Sequence, residues 1–82
     1  MNNIYKTSDL YFASYLVSCG KTFKGTEKKS DRGKNKIVFI FEIDEDDLKQ
    51  YSTSFFSGTA TTNVVQFIYA LKNLKTLCFS AE

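Results

Sequence analysis

The densest chemistry in the chain is cationic. Residues 21–36 hold Lys21, Lys24, Lys28, Lys29, Arg32, Lys34 and Lys36 against Glu27 and Asp31 alone, a local charge of +5 in a protein whose net charge is +2. Such a density is the electrostatic footprint of a surface that neutralises phosphates. The competing reading is a solvated hairpin whose lysines keep a strand edge from pairing with another chain. An acidic run follows, made of Glu42, Asp44, Glu45, Asp46 and Asp47. It lacks the Gly and the distal Glu of a calcium loop. Acids at a strand-to-helix junction serve as a cap and as first-turn charges. Their functional alternative is a negative surface that imitates nucleic acid to a host protein.

Catalytic groupings are poor. The chain has no His, which removes the usual general base and the commonest transition-metal ligand. Thr7, Ser8 and Asp9 include a nucleophile and an acid, but no base accompanies them, and a helix start, a hydroxyl cap followed by an acid in the first turn, explains the trio. The four glycines are isolated, so no phosphate-cradling loop exists. Tyr5, Tyr11 and Tyr15 suit base stacking or, as flank residues of a helix, buried rings with wet hydroxyls. Cys19 and Cys78 are expected to be reduced, partly buried and inert, Cys19 because a helix C-terminus disfavours its thiolate. The expectation is a protein that is not an enzyme and takes neither metal nor cofactor.

The elements that must carry these residues follow from periodicity. Leu10, Phe12, Ala13, Leu16, Val17 and Cys19 recur at helical spacing between the Thr7-Ser8-Asp9 start and Gly20, which predicts a helix over residues 8–19. Residues 21–29 and 34–43 read as strands around Ser30-Asp31-Arg32-Gly33, with a three-residue Asp-Arg-Gly loop. That register pairs Lys28 with Lys36, Gly25 with Phe39 and Phe23 with Phe41. It puts Phe23, Ile37, Phe39 and Phe41 on one face, and Thr22, Lys24, Thr26, Lys28, Lys36, Val38, Ile40 and Glu42 on the other. Asp44 caps a second helix with Leu48, Tyr51, Phe55 and Phe56 as its stripe, closed by Gly58. Asn63 and Gln66 open a third helix as a capping box, with Val64, Phe67, Ile68, Leu71, Leu74, Leu77 and Cys78 on one side. The fold class is α+β, a single domain over residues 1–82 in the order helix, β-hairpin, helix, helix. The helices cover one face of a two-stranded antiparallel sheet, and a third strand over residues 3–6 is left open.

At 82 residues and 9.4 kDa the core is thin, because a chain of this size hides only about 60% of its unfolded surface. Eight Phe and five Tyr offset this. The first residues show no basic and apolar leader. No apolar run approaches the roughly 18 residues of a membrane span, and two cysteines make no disulfide framework. The expected compartment is the cytoplasm.

Ile4-Tyr5-Lys6-Thr7-Ser8-Asp9-Leu10-Tyr11, with Ala13, Leu16 and Gly20, then Val38-Phe39-Ile40-Phe41-Glu42, Phe55 to Gly58, Phe67, Ala70-Leu71 and Leu74-Lys75, resembles a family of short bacterial and phage proteins. That family is known only as a domain of unknown function. The resemblance spans nearly the whole chain, and its opening hexad is the most specific part. It implies a phage or mobile-element setting in a bacterial host cell, and no activity, cofactor or site residue. The leading expectation is therefore a non-catalytic accessory protein that binds nucleic acid through the hairpin, with Lys24, Lys28, Lys29, Arg32, Lys34 and Lys36 on phosphates. The alternative is a protein-interaction module, an inhibitor of a host defence nuclease or a virion component, working through Glu42, Asp44, Glu45, Asp46 and Asp47. A third reading is a subunit of an oligomer.

Overall fold

The structure, a computed structural model, describes residues 2–80. Met1, Ala81 and Glu82 of the expected domain lie outside the described residues. The order is β1 (Asn2–Thr7), α1 (Leu10–Ser18), β2 (Thr22–Asp31), β3 (Lys34–Asp44), α2 (Glu45–Phe56) and α3 (Val64–Ser80). This is the α+β arrangement expected, with the third strand formed. The sheet runs β1-β3-β2 and is antiparallel throughout, so β3 is paired on both sides. Centrality explains its composition: Ile37 to Phe41 is the most β-branched and aromatic stretch of the chain.

On the helix-covered face, Phe39, Phe41 and Ile43 of β3 join Phe12, Ala13, Tyr15, Leu16 and Leu74 in the core. Phe23 lies opposite Phe41 with ring centroids 5.3 Å apart. Alternation sends Val38, Ile40 and Glu42 to the other face, which carries no helix.

α1 is the hub. Residues 12–16 are buried without a break, a pattern that only a helix covered on several sides can show. Its start differs from the hydroxyl cap expected. Asp9 is the N-cap, its Oδ1 accepting from the Tyr11 and Phe12 amides at 3.0 and 3.1 Å, while Thr7 Oγ1 accepts from Asp9 N at 3.1 Å. Asp caps as well as Ser does and adds a charge that the helix dipole favours. Ser14, fully buried, donates its hydroxyl to Leu10 O at 2.8 Å.

Asp44 occupies the N-cap position of α2, although its side chain makes no capping hydrogen bond. Tyr51 and Phe55 reach α1: Tyr15 sits 5.8 Å from Tyr51, and Phe12 sits 5.2 Å from Phe55, ring centre to ring centre. α3 packs against α1, and Asn63 Oδ1 accepts from Gln66 N at 3.0 Å, which is half of the capping box. The buried stripe of α3 is not the one expected. Ala70 and Leu74 are buried with Phe67, Leu71 and Cys78 half-buried, whereas Val64, Ile68 and Leu77 are exposed. The helix is apolar well beyond the strip that α1 covers, so periodicity alone could not choose the inward side.

Candidate nucleic-acid interface

β1 ends opposite Phe39, so beyond that level β2 and β3 continue as a two-stranded arm. The arm comprises residues 27–31 and 34–38, about 17 Å at the usual rise per residue. Residues 28–30 and 32–36 are all exposed.

The turn is tighter than the three-residue loop expected. Asp31 pairs with Lys34, leaving only Arg32 and Gly33 between the strands. Both have positive φ, 52° and 78°, the mark of a type I′ turn, whose twist matches that of the flanking strands. The tighter turn shifts the outer arm by one residue, and an irregularity between Phe23 and Gly25 takes up the difference. Phe23 therefore still faces Phe41 as expected, but Gly25 faces Ile40, Lys28 faces Ile37, and Lys29 rather than Lys28 faces Lys36. Thr26 and Lys28 consequently move to the helix side of the sheet, while Glu27 and Lys29 join the open side. The bulge is what separates these outcomes, since a slip of one residue exchanges faces.

The open side now carries Lys29, Lys34 and Lys36 in one group, with Lys24 nearer the sheet and Lys28 on the opposite side of the arm. Ion pairs divide these cations. Lys24 Nζ lies 3.8 Å from Glu42 Oε2, Lys21 Nζ lies 3.6 Å from Asp47 Oδ2, and Lys6 Nζ lies 2.9 Å from Glu27 Oε2. Among the described residues, no ion pair involves Lys28, Lys29, Arg32, Lys34 or Lys36. Arg32, Lys34, Asn35 and Lys36 together line a shallow depression on the arm.

Lys6 was not among the candidates, because its place on an outer strand follows only once β1 is known to pair with β3. It spans β3 to reach Glu27, joining both outer strands over the level of Val38 and Ile40. The hydrogen bond from Lys6 and its charge hold the Glu27 carboxyl below the usual glutamate value, against some desolvation, and Lys29 adds to the lowering. Glu27 Oε2 is shut off from water, with Lys6 as its partner.

The other candidates are spread rather than gathered. Glu42 lies on the open sheet face with Lys24, Asp47 points to Lys21, and Glu45 and Asp46 are exposed in the first turn of α2. Among the described residues, no three His, Cys, Asp or Glu side chains converge as metal ligands would. Lys21 also sits 4.6 Å from the Tyr51 ring centre, a cation–π contact that ties the start of β2 to α2. Tyr15 is buried and not on an exposed flank with Tyr11; burial, then the neighbouring Cys19 thiol and Tyr51, push its hydroxyl pKa up. Tyr5 is half-buried against Phe12, edge to face at 6.1 Å. Cys19 and Cys78 are each half-buried, and Cys19 is the C-cap of α1 beside Thr62. Among the described residues, no helix is long and apolar enough to cross a membrane.

Comparison with known proteins gives a family and nothing finer. Neither the curated proteins nor the solved structures contain a match to this chain. A family model described as a domain of unknown function, DUF5659, matches residues 2–80, from the first residue of β1 to the last of α3, and the chain belongs to that family.

Proposed function

We propose that this is a non-catalytic accessory protein that binds duplex DNA through the β2–β3 arm. One observation carries the reading: five cations stand on an arm exposed on both sides, and the described carboxylates leave all five without an ion pair. Lys29 and Lys36 are even set directly opposite each other, a like-charge pairing that costs stability unless an anion neutralises it. A two-stranded ribbon fits the major groove of B-form DNA, whereas the deep, narrow major groove of A-form RNA admits no such element. Single strands are bound mainly on aromatic platforms, and residues 24–38 contain no aromatic side chain. Lysines on phosphates position a protein without reading bases, so little sequence preference is expected. The resemblance to short bacterial and phage proteins supports a mobile element as the setting. The acidic junction has less in its favour, because Glu42 and Asp47 are already engaged by Lys24 and Lys21.

The test is a fluorescence-anisotropy titration with a short duplex and a single strand of equal length at several salt concentrations. The duplex binds more tightly, and neutralising about five phosphates gives a log–log salt slope of about −4 to −5. Absence of duplex binding at ~50 mM salt, where such contacts are strongest, overturns the reading.

A further inference from the structure

α3 turns an apolar side away from the body of the protein. Val64, Val65, Ile68 and Tyr69 are 70%, 59%, 45% and 62% exposed. At 3.6 residues per turn these four positions form one stripe about two turns long, roughly opposite the Ala70 and Leu74 side that faces α1. Single exposed apolar residues are ordinary on a monomer, whereas a contiguous group marks an interaction surface.

We propose that this stripe docks a second copy of this chain, α3 against α3, in a two-fold dimer. Electrostatics favours that occupant. The chain has eleven Lys plus Arg and nine Asp plus Glu, yet residues 50–71 contain none of them. A two-fold contact lays a patch on itself, so a charge near its centre meets its own like. A charge-free apolar patch is complementary to itself without any such cost. Charge depletion with an aromatic present is also the composition of interface centres. Lys72 and Lys75, both exposed, follow on the same side of the helix and form the polar rim at one end. Four side chains give each copy roughly a few hundred Å² of apolar contact, the low end for specific association, so the dimer is weak, with a dissociation constant in the micromolar range. The proposal stands independently of DNA binding.

The experiment is sedimentation equilibrium of the full chain from ~1 μM to ~1 mM, at ~0.5 M salt so that surface charge is screened. The mass rises with concentration from the 9.4 kDa monomer towards twice that value. Ile68→Glu and Ile68→Lys each weaken association at least tenfold, and an equimolar mixture of the two restores it, because the substituted positions meet across the two-fold axis. Ile4→Glu, on the helix-free face of the sheet, leaves association unchanged. A wild-type chain that stays monomeric throughout overturns the proposal, whatever the variants do. So does association that Ile68→Glu leaves intact, that Ile4→Glu abolishes, or that the mixture fails to restore.

Discussion

Two pairs of side chains set the local energetics of the arm, and they act in opposite directions. Lys29 and Lys36 face each other on one side of a strand pair, where like charges destabilise by up to about 1 kcal/mol. Lys36→Glu turns that repulsion into a cross-strand attraction. It should raise folding stability by roughly 0.2–1 kcal/mol in low salt, and the gain should fade as salt screens it. Urea denaturation at two ionic strengths measures this, and a variant less stable than wild type in low salt contradicts the register. Lys6 and Glu27 act the other way. The lowered Glu27 carboxyl means that the folded state favours the ionised form. The stability it contributes is present above the usual glutamate value and is lost as pH falls through the lowered folded one. An NMR titration of the Glu27 carboxyl should find a midpoint below the usual value in the wild type and an upward shift in Lys6→Ala. An unshifted midpoint would mean that Lys6 does not reach across β3 in solution.

The arm as an element depends on two backbone features, the Arg32-Gly33 turn and the irregularity beside Gly25. Gly25 has φ of 129°, a region closed to residues with a Cβ. An added Cβ there would meet no atom within 4 Å, so the cost of Gly25→Ala is conformational and not steric crowding. The expected loss is about 1–3 kcal/mol, read as an earlier denaturation midpoint. The irregularity also holds the two halves of the hairpin in different registers, so Gly25→Ala should weaken the proposed DNA binding as well. A variant with wild-type stability would show that the strand reaches its register without the positive φ. α1 constrains its neighbours differently: it is buried along residues 12–16, and both later helices pack on it, α2 resting on β3 as well.

At the scale of the whole molecule, the charged arm and the neutral α3 stripe are separate surfaces on separate elements. The consequence is that binding and folding can be uncoupled. Changing Lys28, Lys29, Arg32 and Lys34 together to Ala should remove most of the salt slope of the proposed DNA binding. It should leave stability little altered, because exposed positions usually shift it by under about 0.5 kcal/mol each. Anisotropy and thermal denaturation on the same samples check both halves of the statement. A wild-type slope in the quadruple variant places the phosphate contacts elsewhere, and a collapse of stability makes the arm part of the folding unit.

Local chemistry was sufficient for much of this protein. Gly20 and Gly58 after apolar periodic stretches, acids before them and alternating strands around a turn determined the three helices, the hairpin and their order, because caps, turns and periodicity are written in adjacent residues. The concentration of cations on one hairpin was legible for the same reason. What adjacent residues could not determine was pairing at a distance. Whether β1 would join β3, and so bring Lys6 to Glu27, depends on contacts between residues far apart in the chain. The positions of Lys28 and Lys29 on opposite sides of the arm turned on one extra residue near Lys24, a choice made between a tight type I′ turn at the tip and the Phe23–Phe41 contact at the base. The inward side of α3 was decided only by where α1 lay, since Val64, Ile68 and Leu74 are equally apolar to any periodicity argument, and packing alone sorted them into exposed and buried.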